Sequence, residues 1–234
     1  DEVFGRARTG SFAEFACIAE KRTALKPLNV TFEQAAAVPI AALTALQGLR
    51  DKGKLQAGQK VLINGASGGV GTFAVQIAKS FGAGVTGVCS TRNVDMIRSI
   101  GADHVIDYTG DDFTQSDERY DVFLDNHGNH SLRACKGVLS TKGIYVPVGG
   151  SKKGRFLGPM KRLARAPFVF LFAGQKAAMV MTQITKDDLI IMADLLESED
   201  VVPVIDRGYA LAQTPEALEY LGKGHAQGKI IITP

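Results

Sequence analysis

Val61-Leu62-Ile63-Asn64 runs straight into Gly65-Ala66-Ser67-Gly68-Gly69-Val70-Gly71, and Thr72-Phe73-Ala74-Val75-Gln76-Ile77-Ala78-Lys79 follows with helical character. An apolar strand, a glycine-rich turn and a helix in immediate succession suit the binding of a phosphate anion. Residues without a Cβ let the turn close tightly and let the backbone approach a ligand. The helix start offers N–H groups with no intrahelical partner and the positive end of a dipole. Ala66, Gly68 and Gly71 take the three places of a G-x-G-x-x-G pattern, with Ala66 in the first. Between a strand and a helix this is the dinucleotide-binding fingerprint, although a glycine-rich turn that binds nothing can share its sequence.

The next strand-like run, Gly84-Val85-Thr86-Gly87-Val88-Cys89, ends about 20 residues after the turn, where a dinucleotide-binding unit reads the adenosine ribose. An Asp or Glu there would accept from both ribose hydroxyls. This chain has Ser90-Thr91-Arg92-Asn93, with no acid until Asp95. Two hydroxyls and a guanidinium suit a 2′-phosphate, so the residues point to NADP(H). The same residues also suit a helix start capped by Ser90 or Thr91.

Strand and helix patterns alternate from residue 60 to 150. Strands are expected at 60–64, 84–89, 104–107, 121–125 and 143–148, with helices around 70–81, 92–100 and 129–139. Such alternation predicts an α/β fold, a doubly wound parallel sheet of Rossmann type covered on both faces. Ligands bind these sheets at the carboxyl ends of the strands near the switch point. The candidate site therefore gathers Gly68–Gly71, Ser90–Arg92, Tyr108, Asn126 and Val148–Gly150. Residues 10–16 form a further strand-like run. Thr31 is placed to cap an alanine-rich helix. Lys152, Lys153, Arg155, Lys161, Arg162 and Arg165 lie among apolar residues, as on a basic amphipathic helix or a solvated helical face. Residues 177–182 read as a strand; at a sheet edge it would offer a surface on which a homodimer could form. Helix 186–198, strand 201–205, helix 214–223 and strand 229–233 close the chain.

Composition excludes several classes. The 234 residues are 45% hydrophobic and 22% charged, enough for a sizeable core, and the net charge of +3 does not argue for nucleic acid. No apolar run is long enough to span a membrane, and Asp1-Glu2-Val3-Phe4-Gly5 is not a signal peptide. Cys17, Cys89 and Cys135 are widely spaced and odd in number, which fits reduced thiols in a cytoplasmic protein. His127 and His130 are three apart with no third ligand close by, which suits a loop or helix-start role better than a metal.

The chain resembles the medium-chain dehydrogenases/reductases, in particular their zinc-independent quinone oxidoreductase branch. The resemblance rests on many pieces in order: Asp1–Gly5, Gly10-Ser11-Phe12-Ala13-Glu14-Phe15, Gln34-Ala35-Ala36-Ala37-Val38-Pro39, Leu43-Thr44-Ala45-Leu46-Gln47, the glycine turn, Gly101–Tyr108 and Gly228-Lys229-Ile230-Ile231-Ile232. It implies a dinucleotide-binding Rossmann domain over 27–202. Remnants of a GroES-like β domain are implied at both ends, in 1–26 and 203–234. Most of that substrate domain, and with it one wall of the substrate cleft, is expected to be absent from this chain. Zinc-dependent relatives carry a cysteine-rich lobe between the first two matching runs; here four residues separate them, none a cysteine. Ile40, Ala41 and Ala42 stand where those relatives place a catalytic-zinc cysteine.

The resemblance implies hydride transfer from NADPH to a quinone or an α,β-unsaturated carbonyl without a metal. Thr44 would contact the nicotinamide end. Gly68, Gly69, Val70 and Gly71 would cradle the pyrophosphate. Ser90, Thr91 and Arg92 would hold the 2′-phosphate, and Tyr108 would flank it or the adenine. Asn126, Val148 and Gly149 would line the cofactor path, and Lys229 would face the pyrophosphate. No general acid is evident. An enoyl-thioester reductase and a non-catalytic NADP-binding module are the competing readings.

Overall fold

The computed structural model describes residues 1–148, 169–170 and 174–234. Gly149, Gly150 and the basic run of 152–165 lie outside the described residues. Five strands follow the expected alternation: β3 (Lys60–Asn64), β4 (Gly84–Cys89), β5 (His104–Asp107), β6 (Tyr120–Asp125) and β7 (Leu139–Pro147). With β8 (Lys176–Ala177) they form one six-stranded sheet in the order β5-β4-β3-β6-β7-β8, parallel throughout. The order reverses direction between β3 and β6, which makes their carboxyl ends the switch point. Two short β1 (Val3–Gly5) and β2 (Thr23–Leu25) strands pair antiparallel. Near the C-terminus β9 (Ile205–Ala210) and β10 (Lys229–Thr233) pair parallel.

The period of two along each strand divides the core. Val61 and Ile63 of β3, Val122 and Leu124 of β6 and Val146 of β7 face one apolar cluster. That cluster includes residues of α1 (Phe32–Gln47), α2 (Gly69–Ser80), α3 (Val94–Ser99) and α5 (Lys186–Glu197). Leu62, Phe123 and Tyr145 join a second cluster with Cys135 of α4 (Leu132–Gly137). The sheet is therefore covered on both faces, as its continuous apolar strands require. Thr31 caps α1 through a reciprocal capping box with Gln34.

Several expected boundaries move. Residues 10–16 are exposed bends, with Phe15 89% accessible, and no strand pairs with them among the described residues. The strand expected at 177–182 stops at Ala177. Beyond it, Gln47 of α1 donates to the carbonyl of Gln183 at 2.7 Å and accepts from its N–H at 3.0 Å. The strand expected at 201–205 begins only at Ile205, because Gln76 of α2 donates to the carbonyl of Val202 at 3.0 Å and accepts from its N–H at 2.8 Å. At Val202 the helix-borne amide thus satisfies backbone that a neighbouring strand would have paired, whereas Gln183 lies one residue past the expected strand. The helix expected at 129–139 shortens to α4, and β7 starts four residues earlier than the apolar run indicates. A last helix, α6, spans Thr214–Gly222. Among the described residues no helix is long and apolar enough to cross a membrane.

Candidate functional site

The glycine turn closes against β4. Gly65 and Ala66 donate to the carbonyl of Val88 at 3.2 and 3.0 Å, and Gly68 donates back to Gly65 at 3.2 Å. Gly65 has φ +76°, a left-handed conformation that glycine adopts without penalty. The tight-turn role thus falls on Gly65, one position before Ala66, to which the sequence pattern assigns it. A Cβ on Gly71 would collide with the Gly65 carbonyl and lie 2.6 Å from backbone atoms of Ala66. Gly68 takes the N-cap position of α2 with no side-chain cap, so the first amides of this 12-residue helix have no side-chain partner.

Two later segments meet at this turn. Gly228 donates to Ser67 at 2.8 Å and bridges Gly68, which carries the start of β10 onto the mouth of α2. Lys229 follows, and a Cβ on Gly69 would lie 3.0 Å from its Cδ and 3.8 Å from its Nζ. Burial pushes the Lys229 ammonium below its ordinary value. A half-buried cation beside an uncapped helix start is a site for an anion.

From the other side of the switch point comes the segment after β6. Asp125 is buried, and its carboxylate accepts from Asn64 at 2.9 Å, Tyr145 at 2.7 Å, the His127 amide at 3.2 Å and the Gly128 amide at 2.8 Å. Asn126 is placed between these groups, yet neither polar atom of its buried side-chain amide has a partner. Such an orphan is costly unless a ligand satisfies it. Val148 is half-buried and donates to the Asp125 carbonyl at 2.9 Å.

At the end of β4, Ser90 accepts from Asn93 at 3.2 Å, and Thr91 pairs with Thr109 at 2.8 Å. Arg92 is exposed, and one guanidinium nitrogen donates to the His225 carbonyl at 2.5 Å. Gln227 donates to Asn93 at 2.6 Å. Tyr108 is 58% exposed beside these residues, its amide donating to Cys89 at 3.0 Å. Asp107 comes close as well: Thr91 and Thr109 hold its carboxyl below the ordinary value. Asp107, although it precedes Tyr108, is not among the expected site residues, and distance in the chain conceals the residues at 225–227. The sequence points to the end of that loop through Gly228 and Lys229, and Gly228 has φ +77°. Cys89 closes β4, buried, with its thiol pushed up to about 11 by that burial.

Thr44 stands apart from this gathering. It is buried in α1, with its hydroxyl donating to Ile40 at 2.6 Å and paired with Thr182 at 2.7 Å. An open cavity of about 310 Å³ between β1 and α1 is lined in part by Gly5, Arg6, Pro39, Ile40 and Lys229, so it adjoins the anion site. A larger cleft of about 560 Å³ lies between β2 and α5 and contains none of the glycine-turn residues. Among the described residues no three His, Cys, Asp or Glu side chains cluster as metal ligands; the His130 ring instead packs on Phe113 at 4.6 Å.

Residues 100–232 match the family described as zinc-binding dehydrogenase. The chain belongs to the medium-chain dehydrogenases/reductases, in their quinone oxidoreductase-like branch. It is similar to the mitochondrial NAD(P)H oxidoreductase RTN4IP1 of Mus musculus, 33% identical over 99% of this chain and 64% of that protein. The chloroplastic NADPH-dependent alkenal/one oxidoreductase of Arabidopsis thaliana is 32% identical over 98% of this chain and 54% of that protein. The chain thus spans about half to two thirds of the length of these relatives. The solved quinone oxidoreductase of Coxiella burnetii superposes with a TM-score of 0.87 at 28% identity, covering 99% of this chain and 71% of that one. The parallel sheet and its glycine turn are those of a medium-chain dehydrogenase/reductase.

Proposed function

We propose that this chain is the cofactor-binding part of an NADPH-dependent oxidoreductase that reduces a quinone or an α,β-unsaturated carbonyl without zinc. The observation that carries the reading is the anion cradle: Gly68–Gly71 at an uncapped helix start, faced by half-buried Lys229. The residues fit a dinucleotide along its length. Gly68, Gly69, Val70 and Gly71 would receive the pyrophosphate, with Lys229 neutralising it. Ser90, Thr91 and Arg92 would hold the 2′-phosphate beside Tyr108. The unpartnered amide of Asn126 would supply a donor and an acceptor to the nicotinamide half, with Val148 near by. Thr44 would back that end from within α1.

When bound, the nicotinamide supplies a hydride. The chain's own part is orientation and exclusion of water. An electron-poor acceptor takes hydride at one carbon, or at a quinone ring, and gains a proton separately. It therefore needs no Lewis acid from residues such as Ile40–Ala42. The relatives' printed names, alkenal/one and quinone oxidoreductases, support this acceptor class. Titration with NADPH and NADH in parallel tests the reading. Binding of NADPH in clear preference to NADH is expected, and binding of neither would overturn it. Turnover of quinones and enones, set against acyl thioesters, would then settle the acceptor.

A further inference from the structure

The reading above leaves the exposed imidazole of His127 without a role. His127 follows the last residues of β6, on the side of the switch point opposite Lys229. Its backbone is fixed: the Asp125 carboxylate accepts from the His127 and Gly128 amides, and Asn64 and Tyr145 pin that carboxylate in turn. Gly128, with φ +63°, turns the chain immediately afterwards. The ring is thereby carried onto the glycine turn. A Cβ on Gly65 would lie 2.7 Å from the His127 Cδ2 and 3.3 Å from its Nε2. No side chain of the described residues is seen to hydrogen-bond either ring nitrogen. Gly65 is thus glycine for two reasons, its left-handed φ and the ring against it.

Two side chains accordingly flank the turn, His127 over Gly65 and Lys229 over Gly69. A diphosphate held at the helix start would have one of them on either side. An imidazole presents at least one N–H donor in every protonation state open to it. We infer that His127 is a cofactor-contacting residue, donating from the β6 side, which also carries Asn126, to the nicotinamide-side phosphate of the diphosphate, opposite Lys229. This rests on the dinucleotide reading and deepens it.

The test separates the two halves of the cofactor. His127→Ala and His127→Gln are titrated with NADPH and with 2′,5′-ADP, which retains the adenosine end with its 5′-phosphate and lacks the nicotinamide-side phosphate and everything beyond it. His127→Ala is expected to weaken NADPH roughly tenfold, the worth of one hydrogen bond to a charged group, with 2′,5′-ADP changed less than twofold. His127→Gln, which keeps an N–H donor, is expected to recover most of the loss. Because His127 is exposed, thermal melting of both variants should match the parent chain. Unchanged NADPH binding in His127→Ala, or equal loss of both nucleotides, overturns the inference and leaves the dinucleotide reading standing. A parent chain that binds neither nucleotide overturns both.

Discussion

Arg92 and Lys229 carry the two charge-based expectations of the site. Arg92 spends one N–H on the His225 carbonyl and has further donors in its planar fork. Arg92→Glu is expected to weaken NADPH by at least tenfold more than NADH, since charge-assisted hydrogen bonds to the 2′-phosphate are replaced by repulsion. Any loss common to both nucleotides measures the broken tie to the 225–228 loop; only the difference reports on the phosphate. Parallel titrations decide it, and equal losses would remove Arg92 from the 2′-phosphate site. Lys229 predicts a pH dependence. Its ammonium is lowered by burial, and a bound diphosphate would raise it again. The complex then holds the Lys229 proton to higher pH than the unliganded chain does. NADPH affinity is therefore full below the lowered value of the unliganded chain and falls as pH rises through it. Calorimetry in alkaline buffers of different ionisation enthalpy should register proton uptake on binding, absent in Lys229→Met. The same group makes the unliganded chain gain stability as pH rises from the lowered value toward 10.5, because the unfolded chain binds more protons across that window.

At the scale of elements, the glycines of α2 are not equivalent. A Cβ on Gly71 meets backbone of Gly65 and Ala66 at 2.6 Å or less, which cannot swing aside, whereas a Cβ on Gly69 meets the flexible Cδ of Lys229 at 3.0 Å and the Gly228 carbonyl only at 3.3 Å. Gly71→Ala is expected to cost about 1–3 kcal/mol as overpacking and to abolish NADPH binding; Gly69→Ala should cost under about 1 kcal/mol. Denaturant midpoints of the two variants compare them directly, and equal midpoints would refute the distinction. Strands β3 to β6 were legible because each is a short apolar run bounded by turn residues, and the parallel sheet followed from their alternation with helices. The strand expected at 201–205 misled because the sequence carries no mark of Gln76, well over a hundred residues away, taking over the backbone bonding of Val202. Gln76→Ala should cost about 2 kcal/mol by leaving the Val202 amide and carbonyl unpaired. A loss under about 0.5 kcal/mol would show that water replaces the side chain. The glycine turn was likewise legible as a motif but offset by one residue, since only the backbone reveals that Gly65, not the first motif place, takes the left-handed conformation.

Across the whole molecule, the site is assembled from segments far apart in the chain: the turn at 65–71, the end of β4, the loop after β6, and the C-terminal return at 225–229. The return is fastened by Gly228 to Ser67, His225 to Arg92 and Gln227 to Asn93, so the site's geometry exists only when distant parts of the chain have folded together. An unfolded chain cannot reproduce it, so ligand binding should stabilise the whole fold by mass action. At one hundred times its dissociation constant a ligand adds about 2.7 kcal/mol. For a chain of this size each kcal/mol moves the melting midpoint by about 2–4 °C. NADPH at that excess should therefore raise the midpoint by roughly 5–11 °C, and NADH at the same concentration by clearly less. Arg92→Glu should bring the NADPH shift down to the NADH value, because the two nucleotides differ only in the group that Arg92 is expected to hold. Thermal melts of the parent chain and the variant, with and without each nucleotide, measure all of these shifts. A parent midpoint unmoved by NADPH would mean that the assembled crevice is not a nucleotide site, however well its glycines suit one.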